Sequence, residues 1–212
     1  MEKERRRPTT AYAILGLLAL QPWSTYELAQ QVKRSLNWIW PRTERRLYDE
    51  PKRLVADGLA TSTLSYNGQR RRTVYEITEA GRTELADWLG RPPVPRTVEF
   101  EGLLKVFFAD AGSRASLLST LDEIAGDARE RMVRLDAMIE QILHDGARFP
   151  ERTHLQVLGL RQHVDVEAAV MGWAAWARTQ VQSWQGTTDP GTWPAEDELT
   201  RLHQRITTLL QE

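Results

Sequence analysis

The residues best suited to chemistry are two clusters of cationic side chains. Thr43, Arg45, Arg46, Tyr48, Lys52 and Arg53 fall in one segment, and Gln69, Arg70, Arg71 and Arg72 follow in another. Such groups bind rather than transform. Guanidinium forks and ammonium groups pair with phosphate oxygens, while Thr, Tyr and Gln add hydrogen bonds. Catalytic alternatives are poorly supplied. The chain has no Cys, which excludes thiol catalysis, Cys-ligated zinc and disulfide scaffolds. Its His residues, at 144, 154, 163 and 203, form no i, i+4 pair for a metal. No nucleophile–base pair or Gly-rich phosphate loop stands out, so the chain is read as a non-enzyme with neither metal nor cofactor.

The first cluster needs a helix to carry it. Thr43 opens one that runs to Asp57 and stops at Gly58, which tolerates the left-handed conformation. Leu47, Pro51, Leu54 and Val55 share its inner face, leaving Arg45, Arg46, Asp49, Lys52 and Arg53 outward with Tyr48 at the edge. Pro51 predicts a kink or a restart, and Asp49 and Glu50 put carboxylates on or near the cationic face. The second cluster needs a hairpin. Thr61 to Tyr66 alternates with period two, Asn67-Gly68 turns, and Thr73 to Ile77 returns, which places Gln69 to Arg72 at the tip. Upstream, Thr9 or Thr10 caps a helix to Leu20, and Ser24 with Glu27 forms a capping box ahead of Leu28 and Val32. Asn37 to Pro41 breaks the chain, and Thr78 caps a last helix over Glu79 to Leu89. Three helices followed by a basic two-stranded hairpin is the layout of a winged helix-turn-helix. Its cationic third helix suits the major groove of double-stranded DNA, and its wing an adjacent groove or backbone.

The overall charge argues the other way. Lys and Arg number 28 against 29 Asp and Glu, a net of -1, where a nucleic-acid binder is usually basic. The average hides an asymmetry. Residues 1–90 hold 15 basic and 11 acidic side chains, a balance of +4, and residues 91–212 hold 13 and 18, a balance of -5. Gly90-Arg91-Pro92-Pro93-Val94-Pro95 is a stiff connector between them. The expected organisation is therefore a winged helix-turn-helix over 1–90, a Pro-rich linker over 91–97 and an α-helical domain over 98–212, mainly α in class. Arg5, Arg6 and Arg7 ahead of the apolar run Ala11 to Leu20 mimic a secretion signal, but the run lacks a small-x-small cleavage site. It is also shorter than the roughly 20 residues a bilayer requires. A buried first helix behind a basic arm is the better reading, with a cytoplasmic location and no membrane partner. The arm itself reads equally well as a DNA contact or as a solvated tail.

In the acidic half, Val98 to Ala111 predicts a helix rich in Phe100, Leu103, Leu104, Phe107 and Phe108, ended by Gly112. Ser113 caps a long helix closed by Gly146. Along it Leu117, Leu121, Ile124, Ala128, Met132, Leu135, Met138 and Ile142 step by threes and fours, a coiled-coil-like seam. Pro150 starts another long helix to about Trp184, with Leu155, Leu158, Val166, Val170, Trp173 and Val181 inward. Asp189-Pro190-Gly191 turns into a last amphipathic helix, Glu196 to Leu210. Helices this long cannot bury such stripes alone, and a second copy in a homodimer is the economical partner. The 8 Trp residues admit two readings. One is packing; the other is a pocket of Trp38, Trp40, Trp173 and Trp176 for a small aromatic or apolar effector.

Leu47-Tyr48, Lys52-Arg53-Leu54, Asp57-Gly58-Leu59 and Arg70-Arg71-Arg72-Thr73-Val74-Tyr75-Glu76-Ile77-Thr78-Glu79-Ala80-Gly81-Arg82 together resemble the PadR family of transcriptional regulators. Ile14-Leu15-Gly16-Leu17-Leu18 and Thr25-Tyr26-Glu27-Leu28 are similar to that family's first two helices. Lys105 to Phe108 and Phe149 to Arg152 look like the α-helical C-terminal domain of its virulence-activator branch. Thr25 stands where the family usually has Gly, and Pro51 is displaced from the residue after Tyr48. The resemblance implies a homodimeric repressor that binds a palindrome, with Tyr48 on the phosphate backbone and the wing arginines on phosphate or the minor groove. Half-site centres would lie about one DNA turn, roughly 10 bp, or a multiple apart. The alternative, motivated by Asp49 and Glu50, is a winged-helix protein–protein adaptor or ligand-sequestering helical protein without DNA binding.

Overall fold

The protein, a computed structural model, is described over residues 7–36, 44–68, 70–97 and 99–211, with the backbone alone at 35, 36, 44–46, 67 and 70. Contacts divide it into two compact units, Met1–Arg96 and Thr97–Glu212.

The first unit assembles around α1 (Thr9–Leu18), whose Tyr12, Ile14, Leu15, Leu17 and Leu18 are all buried. Neither Thr9 nor Thr10 caps it. Pro8 holds the N-cap position without a side-chain bond, and the helix stops at Leu18 rather than Leu20. Pro8 suits that end because its ring fixes φ and helix starts leave backbone donors unused anyway. A two-residue strand β1 (Trp23–Ser24) follows, then α2 (Thr25–Gln31) behind the expected capping box: Glu27 donates its amide to Ser24 Oγ at 3.3 Å, and the Ser24 amide donates to Glu27 Oε2 at 2.8 Å. Trp23 is buried and donates its indole N–H to the Leu17 carbonyl at 2.8 Å, which anchors the turn after α1.

Helix α3 (Glu44–Ala56) runs unbroken through Pro51, so the expected restart does not occur. Leu47, Pro51 and Leu54 are buried against the core, and Gly58 ends the helix at φ 74. Strands β2 (Ala60–Asn67) and β3 (Arg70–Ile77) pair antiparallel in register from Ala60↔Ile77 to Asn67↔Arg70. The wing is thus part of a three-stranded sheet of order β1-β3-β2 rather than two strands alone. Helix α4 (Glu79–Gly90) closes the unit, capped by Thr78 Oγ1, which accepts the Gly81 amide at 3.0 Å and donates to the Gly58 carbonyl at 2.8 Å. Trp88 on α4 stacks on Tyr12, rings 4.7 Å apart and 6° from parallel. Burial and the bond from Tyr12 to the Glu84 carboxylate, 2.8 Å, push that phenol above its usual range.

The second unit is helical. Helix α5 (Glu101–Phe107) and a 3-10 turn (Ala109–Ala111) replace the continuous helix expected over Val98 to Ala111; Phe100 precedes α5 and Val98 lies outside the described residues. Helix α6 (Arg114–Asp145) starts at its Ser113 cap and ends at Gly146, φ 83. A 3-10 turn (Pro150–Arg152) leads into α7 (Thr153–Gln182), and α8 (Ala195–Leu209) comes last. α6 and α7 form an antiparallel hairpin. Arg114 donates to the carbonyls of Gln182 (3.0 Å) and Trp184 (2.9 Å), Asp122 accepts from Arg178 at 2.5 Å, and Arg131 lies 3.6 Å from Glu167. Arg114 thereby supplies the cation that the carbonyl end of α7 favours.

The seam is only partly internal. Leu117, Leu121, Ile124, Ala128 and Leu135 are buried, whereas Met132, Met138 and Ile142 are half-buried. On α7 the buried residues are Ala174, Ala177 and Val181. Leu155, Leu158 and Val166, expected inward, are exposed in the single chain, as are Phe107, Phe108 and the apolar face of α8. The hairpin partner covers one side of each long helix, and their remaining apolar surface faces outward.

Candidate nucleic-acid interface

The outer face of α3 carries Tyr48 and Lys52 one turn apart, with Asp49 and Arg53 beside them. Tyr48 is exposed by 38%. Lys52 lies 4.0 Å from Asp49, a long, exposed pair that costs little to open. Glu50 is a correction to the expected carboxylate pair. It is buried, 6% exposed, and its carboxylate faces Arg53 at 3.8 Å across the helix shoulder. One carboxylate, not two, therefore remains on the outer face, which weakens the motive for the adaptor alternative. Thr43 lies outside the described residues, and Arg45 and Arg46 are described by backbone alone.

Burial pushes the Glu50 carboxyl above its usual range, against the pull of Arg53 and Arg7 and with the help of Asp57. A carboxyl raised in the folded state stabilises the fold below its unfolded value, and that contribution is lost as pH rises through the folded value. Glu50→Gln is thus expected to gain stability on the wild type as pH rises from the ordinary carboxylate range towards neutral. Urea titrations across that range check it, and a difference independent of pH would mean Glu50 does not ionise out of water.

In the wing, Asn67 pairs with Arg70, and Gly68 follows β2 at φ 61. The arginines therefore sit in β3, not at the hairpin tip. The expected turn at Asn67-Gly68 is one residue early, because Asn67 is the last residue of β2 and Gly68 carries the positive φ that glycine adopts without strain. Strand alternation puts Arg71 and Arg72 on opposite faces. Arg71 is exposed opposite Tyr66 and forms no ion pair among the described residues. Arg72 lies 3.4 Å from Glu27 Oε1 because the pairing Ser24↔Val74 brings the first turn of α2 beside it. Arg70 is described by backbone alone, and Gln69 lies outside the described residues.

Two exposed aromatics were missed. Tyr66 pairs across from Arg71, and Tyr26 stands on the first turn of α2; both are 67% exposed. The period-two pattern held the signal for Tyr66, since it falls on the same face as Leu64. Of the basic arm, Arg7 is ion-paired with Asp57, and Arg5 and Arg6 lie outside the described residues.

Trp173 and Trp176 line a cavity of about 410 Å³ within the second unit. Trp184 and Trp193, which sequence reasoning did not place there, join them. Trp38 and Trp40 lie outside the described residues. Among the described residues no helix is long and apolar enough to cross a membrane, and no His/Asp/Glu group could hold a metal ion.

Residues 14–87 match the transcriptional regulator PadR-like family, and residues 101–182 match the virulence activator alpha C-term family. The negative transcriptional regulator PadR of Bacillus subtilis is 36% identical over 105 residues, 49% of this chain and 58% of that protein. A probable transcriptional regulator of Mycobacterium tuberculosis is 33% identical over 85 residues, 40% of this chain and 45% of its own length. The chain thus spans about half the length of these relatives. Bacillus subtilis PadR solved with operator DNA superposes with a TM-score of 0.72 at 25% identity, covering 82% of this chain and 99% of the other. The same protein solved with p-coumaric acid gives 0.67 at 25%, over 84% and 98%. The Vibrio cholerae virulence activator AphA shares the fold, with a TM-score of 0.67 at 22% identity over 82% and 98%. The chain carries a winged-helix domain of the PadR-like transcriptional regulator family, followed by a virulence activator alpha C-terminal domain.

Proposed function

We propose that this protein is a homodimeric, DNA-binding transcriptional regulator of PadR type that represses from a palindromic operator. Residues 1–90 read the DNA, 91–97 link, and 98–212 dimerise. In this reading the recognition helix, 43–57, enters the major groove with Thr43, Arg45, Arg46, Tyr48, Lys52 and Arg53. The wing, 61–77, brings Gln69, Arg70, Arg71 and Arg72 to phosphates. The observation that carries it is the concentration of exposed Tyr48, Lys52, Arg53, Arg71 and Tyr66 on two adjacent elements of one small basic unit. The Bacillus relative, named a negative regulator and solved on operator DNA, supports both the partner and the sign. The exposed apolar residues of α5, α7 and α8 support a second copy as partner, the seam Leu117 to Ile142 serving as the scaffold behind them. A DNA partner sets the protein in the cytoplasm, and a small effector controls the operator complex.

A mobility shift on the protein's own promoter region tests the reading, and the absence of any sequence-dependent shift at moderate salt would overturn it. Tyr48→Ala and Arg71→Ala should each weaken binding. Arg71→Ala should also lower the slope of log affinity against log salt by roughly 0.9, the value of one phosphate contact on B-DNA. An unchanged slope would remove Arg71 from the phosphate contacts.

A further inference from the structure

Interiors are packed as densely as organic crystals, so a cluster of large aromatics normally fills its own space. In the second unit such a cluster instead stands around a pocket open to the surface. Trp173 and Trp176 on α7, Trp184 just beyond it, Trp193 before α8 and Phe107 on α5 surround about 410 Å³ of open volume. The space opens to the surface, where Phe107 and Trp176 are exposed, and its volume lies within the roughly 300–1,000 Å³ of small-molecule sites. Half of the 8 Trp residues stand on this one wall.

The wall's polar groups state what would fit. The indole N–H of Trp193 is satisfied, donating to Gln180 Oε1 at 3.0 Å. The indole Nε1 of Trp184 is buried and has no acceptor among the described residues. A buried unmade hydrogen bond is costly, so an acceptor arriving there is favoured. Among the described residues the one charged group on the wall is Asp110, an exposed carboxylate with no cation lining the cavity beside it. Indole faces carry negative electrostatic potential and attract cations, most strongly among the aromatic side chains. Carboxylate, indole faces and a waiting N–H therefore select charge, shape and one polar atom together.

We propose that this cavity binds a flat aromatic cation that also carries a hydrogen-bond acceptor for Trp184. The cation lies between the indoles with its charge toward Asp110, and the same carboxylate repels anionic aromatics. The walls come from α5, the adjoining 3-10 turn, α6, α7 and the segment between α7 and α8, so occupancy ties these elements into one arrangement. The consequence for DNA rests on the regulator reading above; the binding itself does not.

The full chain, without DNA, is titrated with berberine, a planar isoquinolinium cation bearing ether oxygens, and with 9-anthracenecarboxylate as a planar anion. Tryptophan quenching and calorimetry are the readouts. Berberine should bind saturably, one per chain, at least about ten-fold tighter than the anion. Asp110→Asn should bring the two ligands to within about three-fold of each other, and Trp176→Ala should weaken berberine about ten-fold or more. Both substituted residues are exposed, so circular dichroism should show unchanged helix content. Absent saturation, equal affinity for the anion, or berberine binding indifferent to both variants overturns the proposal; the first is also what a cavity filled by a second copy would give. The promoter shift, run without either ligand, scores the regulator reading independently.

Discussion

Replacing Gly81 with Ala is expected to cost the N-terminal unit about 2–3 kcal/mol, the range for forcing atoms into a packed contact. In a unit of this size that lowers the melting midpoint by roughly 10–20 °C. A Cβ at this position would lie 2.1 Å from the Leu59 carbonyl oxygen and 2.8 Å from Ile77 Cγ1. The first obstacle is backbone, which no rotamer change can move aside. It is also fixed from the other side, because the Leu59 carbonyl accepts the Thr78 amide at 3.1 Å while Thr78 caps α4. The end of α3, the start of the wing and the start of α4 are thus tied within a few residues, and Gly81 is the space that lets them meet. Gly126→Ala is the control, since nothing lies within 4 Å of its added Cβ in mid-α6; it should gain up to about 1 kcal/mol of helix propensity. Thermal melts read by near-ultraviolet dichroism check the pair. A Gly81→Ala protein as stable as the wild type would mean that α4 does not dock on Leu59.

The second large effect concerns assembly. The double variant Leu155→Asp, Leu158→Asp is expected to be monomeric in sedimentation and to lose about 10²–10⁴-fold in affinity for a two-half-site operator, the scale of lost bivalency. Those side chains are 50% and 70% exposed on α7, so within one chain the charges meet water and the α6–α7 hairpin keeps its helix content. Between two copies they would bury unpaired carboxylates, whose desolvation a dimer cannot compensate. An unchanged mass would place the dimer contact elsewhere, and unchanged affinity at reduced mass would remove the need for two-fold symmetry.

Much of the fold was legible because it is written locally. The caps at Ser24, Thr78 and Ser113 each formed, and the wheel placed Leu47, Pro51 and Leu54 in the core. Position 81 could be quoted as part of a family motif, but the reason for it is a carbonyl 22 residues away in sequence. What was missed depends on such distant neighbours. A two-residue strand at Trp23 has no periodicity to detect; it exists because β3 has a free edge beside it. Glu50 reads as an exposed charge on any hydropathy pattern, yet α3 turns it under Arg53. The wing register slipped because an Asn-Gly turn can seat its glycine at either loop position, and only the strand pairing decides. Leu155, Leu158 and Val166 carry the right spacing for burial, but a seam says nothing of which helix covers it. For the cavity, the spacing of Trp173 and Trp176 was visible, whereas Trp184 and Trp193 arrive only when the chain turns back after α7.

The contact between Arg72 and Glu27 has a bearing on how neighbouring arginines divide their labour. Glu27 serves twice, holding the Ser24 amide with one oxygen and Arg72 with the other. A phosphate that reaches Arg72 must therefore displace an anion already tethered beside it, and the residue contributes the difference between two ion pairs. Arg71, one position earlier, faces no such competitor among the described residues and contributes an entire pair. Identical side chains on consecutive residues thus stand as an exchange and an addition. If the wing meets DNA as proposed, the exchange would leave behind a carboxylate at the first turn of α2, and the strength of that contact and the integrity of the helix start would be settled by one shared charge.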